Sequence, residues 1–476
     1  MIWNFEKINV TSHSKPFASA VGKLDFEQSG YVEEEYFFDG TANVYEEEGD
    51  RAKKVIHENM HYKNRILVRK PENMNKFQGN IVIEILNATA GFDLDRMWVV
   101  GAKELMRRGT VYVGITSKPD MLDPLCQFDQ KRYESLTWKI TYERMKRKMT
   151  VQDELVYPRH SECETGLIWD MLTDLAEFLK GENHIVTSVK EKRIYLTGWS
   201  QSANYLTTYV RYFMDECKEK KLFNGFLAAG NVHTFVTPLN QEGYGNDADE
   251  KRTMVDEMPY PFIAVQTETE AVDFNGIRCR QENKNDPEMK YCCYEFAGPT
   301  HDTMFSLMKY YADDKEMESL GLTPQYMGIH KMPNDFPHEF LFYAVYRQLF
   351  EWGKSGKMPA LQMRILTDAE GAVLKDRFGN TRGGVRSPFT DVPYCTYHSC
   401  SKIQFPDGTE GENPLFGYSQ YFEKEKMMEE YQTLERYKEQ FLKAAENAVY
   451  AGALLAEDVE ECLEKAIEDI EKIGFR

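Results

Sequence analysis

The apolar residues of this chain fall mostly into short continuous runs. They stand at 80–86 (NIVIEIL), 110–115 (TVYVGI), 193–197 (RIYLT), 225–229 (GFLAA), 262–266 (FIAVQ) and 291–296 (YCCYEF). Runs of five to seven apolar residues read as strands with both faces covered. Between them the spacing changes to that of amphipathic helices, over 93–108, 164–180 and 202–217. In the second of these, Leu167, Ile168, Met171, Leu172, Leu175 and Leu179 share one side. Repeated strand–helix units predict an α/β fold, a mostly parallel central sheet with helices on both faces.

The ends of the chain differ. Residues 30–48 alternate apolar and acidic positions around Asp39-Gly40, which reads as a β-hairpin. With a strand at 64–70, residues 1–75 form a β-rich N-terminal segment. Residues 76–350 then form the α/β core. Residues 118–160 interrupt its rhythm with prolines, aromatics and clustered charge, as a lid-like insertion does. Residues 351–476 extend the core and end in two amphipathic helices. In the second, Val459, Leu463, Ile467, Ile470 and Ile473 lie on one face. The heptads are too few for a sustained coiled coil, so a docked appendage is expected.

Composition narrows the functional classes. The 476 residues are 42% hydrophobic and carry a formal charge of −19. The isoelectric point is near 5.2 and mean hydropathy is −0.58. Such a field repels phosphate backbones and anionic bilayers, so neither nucleic acid nor a membrane is an expected partner. No apolar run approaches the ~20 residues of a membrane span. The first residues lack the pattern of a secretory leader, and nine scattered cysteines suit a reducing compartment, so a cytoplasmic location is expected. Cys292 and Cys293 are adjacent on a strand and should face opposite ways. Cys395, His398 and Cys400 are close in sequence, but no second cluster completes a zinc site, so no metal is expected.

The chemistry concentrates at 192–217 (KRIYLTGWSQSANYLTTYVRYFMDEC). An apolar strand runs into Gly198, Ser200 sits in the turn, and a helix follows at once. A nucleophile elbow needs small residues two before and two after its serine, here Gly198 and Ser202. G-x-S-x-S alone also fits an ordinary turn with a capping serine; the flanking strand and helix favour the nucleophile. Such a serine needs an acid and then a histidine further along the chain. Glu268, Glu270 and Asp273 follow the strand PFIAVQ, with Glu270 preferred and Glu268 the alternative. His301 follows the next strand in a loop of small residues and is the expected base. His330 and His338 lie outside that context. Oxyanion donors are expected from the backbone of Gln201 and of the loop 87–91, with Thr89 first in that loop. Trp199, Trp138 and Phe128 are candidates for a substrate pocket.

The segments YFFDGTANVYE, NRILVRKP, EILNATAGFD, VGITSKP, LTGWSQS, QTETEA, EFAGPTHDT and GNTRGGVRSPFTDVPYCTY together resemble the bacterial "alpha/beta hydrolase domain" family. The likeness runs in order along nearly the whole chain. It implies an α/β-hydrolase fold and a Ser–acid–His triad, carried onto Ser200 and His301, with Glu270 or Glu268 as the acid. The expected reaction is cleavage of a small-molecule carboxylic ester through an acyl-enzyme, without a cofactor. An amidase or acyltransferase would use the same triad, and a non-catalytic binding module could share the fold. The segment 383–397 matches the family but carries no evident chemistry; its proline and glycine content suggests a rigid loop returning to the core.

Overall fold

The computed structural model describes residues 2–17, 26–142, 162–188, 190–233, 236–241, 250–308, 314–322, 329–330, 332–405 and 407–476. Among these residues, ten strands form one sheet: β1 (Ile2–Ile8), β2 (Tyr31–Glu47), β3 (Lys53–Pro71), β4 (Asn80–Ile85), β5 (Val111–Ile115), β6 (Arg193–Trp199), β7 (Gly225–Ala229), β8 (Met258–Gln266), β9 (Lys284–Asn285) and β10 (Met289–Glu295). Their order is β1-β2-β3-β5-β4-β6-β7-β8-β10-β9. The six strands from β5 to β10 across the middle are parallel. The first three are antiparallel and join the same sheet through β3, where Ile66 pairs with Ile115 of β5.

Alternation along the strands builds two cores. Ile81, Ile83 and Ile85 of β4 face one, with α2 (Ile168–Lys180) and α3 (Gln201–Lys220). Val82 faces the other, with α1 (Arg96–Arg107). Cys293 and Cys292 divide in the same way between the two cores. Glu84 shares the Val82 side and is fully buried. Its carboxylate accepts from Met97 N at 2.8 Å, Trp98 N at 2.9 Å and Tyr112 Oη at 2.8 Å. It therefore closes the N-terminus of α1, whose first amides lack intrahelical partners.

The expected hairpin around Asp39-Gly40 does not form. Pairing continues straight through, with Asp39 opposite Lys63 and Gly40 opposite Tyr62. The strand turns instead after Glu47, where Glu48 N donates to Ala52 O at 2.9 Å. With two antiparallel neighbours satisfying its backbone, this long strand has no reason to fold back at an Asp-Gly pair.

The described part of the 118–160 insertion is packed onto the body. Two short helices, Leu122–Phe128 and Gln130–Tyr133, bury Leu125 and Tyr133. Thr137 bridges to Lys63 of β3. Residues 143–160 lie outside the described residues. At the other end, three helices stand where two were expected: α6 (Lys424–Tyr431), α7 (Leu434–Tyr450) and α8 (Val459–Ile473). They pack with α5 (Glu339–Ser355) into the core that holds α1. The segment 383–397 returns to the sheet, where Val385 N donates to Glu295 O at 2.7 Å.

Candidate active site

Ser200 stands between β6 and α3 with φ 58° and ψ −121°. A non-glycine residue in this region is strained, at a cost of about 1–3 kcal/mol, and survives only where its surroundings enforce it. Here they do. Ser200 N donates to Ala229 O of β7 at 2.8 Å, and Ser200 O accepts from Ala203 N at 2.9 Å. At Gly198 a Cβ would come within 2.5 Å of the Ser202 carbonyl oxygen, so helix and strand meet too closely for any side chain. Ser202 fits because its hydroxyl donates to Leu86 O at 3.2 Å, binding the elbow to the end of β4. Ser117 Oγ donates to the same carbonyl at 2.6 Å.

After β8 the chain enters the short helix α4 (Glu268–Val272), with Thr267 as its N-cap. Glu270 is the third residue of that helix, and its carboxylate folds back in a capping box. Oε2 accepts from Thr267 N at 2.7 Å and from Thr267 Oγ1 at 2.8 Å. Oε1 meets His301 Nδ1 at 2.5 Å. Both side chains are buried. The T-x-x-E pattern of this box was visible in the sequence, and it is what turns Glu270 toward the sheet. Pro261 lies inside β8, and Glu270 sits on a short helix after it. Glu268 points elsewhere: its carboxylate accepts from Gly298 N at 2.9 Å and Lys375 Nζ at 2.8 Å.

His301 follows β10. Its amide donates to Thr269 Oγ1 at 3.1 Å, tying its loop to α4. Burial alone would push its pKa down. The Glu270 charge and hydrogen bond, aided by Asp302, outweigh burial and the opposing Arg96 charge, and the pKa is raised. Gly230 lies between His301 and Ser200. With φ 64°, a Cβ there would sit 3.2 Å from His301 Cε1 and 3.4 Å from Ser200 N. The histidine ring and the Ser200 backbone thus flank one point, and a side chain placed there would press on both.

The loop 87–91 is fastened to the elbow by Asn87, whose Nδ2 donates to Trp199 O at 2.9 Å. The Thr89 amide donates to Asn87 Oδ1 at 2.9 Å. Gln201 opens α3, where the first amides of a helix have no acceptor within it. Beside the loop is a cavity of about 420 Å³, lined by residues 88–91, Lys118, Asp120, Met121, Asp123, Pro124, Gln127 and Leu322. Lys118 is 4% exposed. Burial pulls its pKa down to about 7, against the nearby Asp120 charge.

The three aromatic residues expected to shape a pocket do not line this cavity. Trp138 is fully buried in the core beneath β3 and β4. Phe128 packs edge-on against Phe17, with ring centroids 5.3 Å apart. Trp199 lies behind the elbow, packed against Phe342 at 5.5 Å. Aromatic side chains bury most surface in a core, as Trp138 and Trp199 do, while Phe128 is half-buried at the edge of one.

Sequence reasoning missed Lys118 and His233, and gave Asn87 no part beyond its place in the 87–91 loop. His233 Nδ1 meets Thr253 Oγ1 at 2.7 Å, and burial pushes its pKa down to about 4. His338 Nδ1 meets Thr303 Oγ1 at 2.9 Å, and burial pushes its pKa down to about 3. His330 stacks on Tyr418 at 3.6 Å. Among the described residues, no group of three or more His, Cys, Asp or Glu side chains is placed to hold a metal ion. Cys395 is buried, while His398 stacks on Tyr418 at 4.1 Å. No described helix is long and apolar enough to cross a membrane.

Among solved structures, the chain is similar to Est1E from Butyrivibrio proteoclasticus at 11% identity and a TM-score of 0.28, covering 59% of this chain and 99% of that one. It is also similar to an S-formylglutathione hydrolase from Agrobacterium tumefaciens at 11% identity and a TM-score of 0.34, covering 61% and 96%. A search of the curated proteins finds no match. The family described as "Alpha/beta hydrolase domain" matches residues 5–464. Together with the mostly parallel strand order, this match over nearly the whole length shows that the chain belongs to the alpha/beta hydrolase domain family.

Proposed function

We propose that this protein is a serine hydrolase that cleaves carboxylic esters of small molecules through an acyl-enzyme. Ser200 Oγ attacks the ester carbonyl, and His301 Nε2 takes the hydroxyl proton. Collapse of the tetrahedral intermediate breaks the bond to the leaving alcohol, which receives that proton from His301. Water then attacks the acyl-serine by the same route, releasing the acid and restoring Ser200. Glu270 holds the His301 Nδ1–H tautomer and stabilises the imidazolium that forms. The developing oxyanion is met by backbone N–H groups of Gln201 and the 87–91 loop. Thr89, the expected donor there, would share its N–H between Asn87 Oδ1 and the oxyanion. The cavity beside that loop receives part of the substrate. No metal or organic cofactor enters these steps.

The observation that carries this reading is the strained Ser200 backbone facing a buried histidine–carboxylate pair across Gly230. Strain of this kind gathers at functional sites, because a merely structural turn would use glycine here. Ser200→Ala tests it. Hydrolysis of p-nitrophenyl esters should fall by about 10⁶, the loss typical of a missing triad serine, while the melting temperature is unchanged or higher. A folded variant that keeps a substantial fraction of wild-type activity rules Ser200 out as nucleophile.

A further inference from the structure

Arg96, the first residue of α1, is 2% exposed and lies behind the proposed base. It forms an ion pair with Asp302, the residue after His301. Its Nη2 donates to the His301 carbonyl at 3.3 Å and to Ser306 Oγ at 3.1 Å. The guanidinium also lies 4.9 Å from the centroid of the Trp199 ring, the residue before Ser200. The same indole stands 5.7 Å from the His301 ring. One planar, five-donor group thus touches the base loop through backbone and side chain, and the nucleophile strand through its aromatic face. Its own position is fixed, because the buried Glu84 carboxylate closes the helix end that carries it.

From this geometry we infer that Arg96, paired with Asp302, is a positioning residue that clamps the His301 loop against the nucleophile strand. The inference rests on the hydrolase reading above. The clamp reaches His301 through its carbonyl and through its neighbour, leaving the imidazole edge to Glu270. A lysine offers the charge but not the fork, so it cannot hold Asp302, Ser306 and the carbonyl together.

The same pair sets the field at the imidazole. Arg96 works against the His301 proton, and Asp302 favours it, as Glu270 does. Among the described residues, His233 lies after β7, His338 before α5, and Asp273 after α4; burial and the Glu268, Glu412 and Glu270 charges raise the Asp273 pKa to about 6, a contribution common to wild type and variants. Burial holds both histidines well below neutrality, so neither histidine changes charge in the working range. Removing Arg96 must raise the His301 pKa, and neutralising Asp302 must lower it. A merely structural role for the pair predicts no such opposed displacement.

The test is the rate at which a fluorophosphonate probe labels Ser200 as a function of pH. It is measured in the full-length wild type, Arg96→Met, Arg96→Lys and Asp302→Asn, with melting temperatures beside it. In Arg96→Met the rise of rate with pH should move to higher pH, and the plateau should fall by roughly ten- to a hundredfold, as for a misplaced catalytic group. In Asp302→Asn the rise should move to lower pH. Arg96→Lys should bring the rise back toward the wild-type position without restoring the plateau. If Arg96→Met does not fold, the downward move in Asp302→Asn and the split behaviour of Arg96→Lys still decide the matter. Rises that stay at one pH in every folded variant, with losses that track melting temperature, overturn the inference alone. A wild type that takes no label at Ser200 overturns the hydrolase reading, and the clamp with it.

Discussion

Replacing Glu270 by glutamine removes a charge while keeping the shape of the side chain, and the surroundings leave the new amide no good orientation. Oε2 of Glu270 already accepts twice from Thr267, and Oε1 faces His301 Nδ1. A glutamine NH₂ turned toward Thr267 meets two donors. Turned toward His301 it meets Nδ1–H and forces the other tautomer, in which Nε2 carries a proton and cannot take one from Ser200. In either orientation the imidazolium formed during reaction loses its buried counter-charge. The loss in kcat should approach ~10⁴, as for the corresponding change in other triads. At about 1.4 kcal/mol per tenfold, that is a little over 5 kcal/mol of transition-state stabilisation. Glu268→Gln is the control. Glu268 keeps a carbonyl for Gly298 N and loses only its ion pair with Lys375, whose side chain is 43% exposed. That change should cost about 1–3 kcal/mol of stability and leave kcat nearly intact. The assay is steady-state hydrolysis of a p-nitrophenyl ester, with thermal melting of each variant. The pH profile adds a second signature. Without the Glu270 charge, burial prevails at His301, so the small residual activity should rise at lower pH than in the wild type. Equal losses in the two variants, or a larger loss in Glu268→Gln, would refute the assignment of the acid.

Gly230→Ala should lower kcat by about ten- to a hundredfold with a smaller effect on stability, because its Cβ would press on the His301 ring; wild-type kcat in the folded variant would contradict that geometry. Trp138→Ala should cost about 3–5 kcal/mol and reduce activity evenly across ester chain lengths, since the indole is core; a change in relative kcat/KM among esters would place it at the substrate after all. In the wild type kcat/KM should rise with pH through an ionisation above the ordinary histidine value of about 6.5, because the His301 pKa is raised and the base must be neutral; a rise well below that value would show that burial wins. EDTA should leave hydrolysis unchanged, and a loss restored by zinc would count against the serine mechanism.

How much of this could be read beforehand differs from element to element. The parallel strands β4, β5, β6, β7, β8 and β10 were legible because burial on both faces leaves nearly uninterrupted apolar runs. The tight strand–helix junction at Ser200 was legible because Gly198 and Ser202 are the small residues that such a junction demands. The choice between Glu270 and Glu268 was harder, since both carboxylates are buried within one turn of helix. Only the Thr267 capping box separates them, turning one toward His301 and leaving the other to Lys375. The false hairpin at Asp39-Gly40 shows the reverse situation. Local turn chemistry pointed one way, and two neighbouring strands supplied enough backbone partners to override it. Trp138 and Phe128 show that aromatic content alone does not tell a core from a pocket: one is fully buried and the other packs edge-on against Phe17. Arg96 left no trace in the pattern at all. Its partners Asp302, Ser306 and Trp199 are brought to it from distant parts of the chain by the sheet order.

The central claim is that a covalent acyl group forms on Ser200. The most direct measurement is rapid acid quench of the enzyme during turnover of a slowly hydrolysed p-nitrophenyl ester, followed by peptide mass spectrometry. The account predicts one acyl adduct, on the peptide that contains Ser200. It should be absent in Ser200→Ala and nearly absent in His301→Ala, where no base activates the hydroxyl. An adduct on any other residue, or turnover by Ser200→Ala at the wild-type rate, would contradict it.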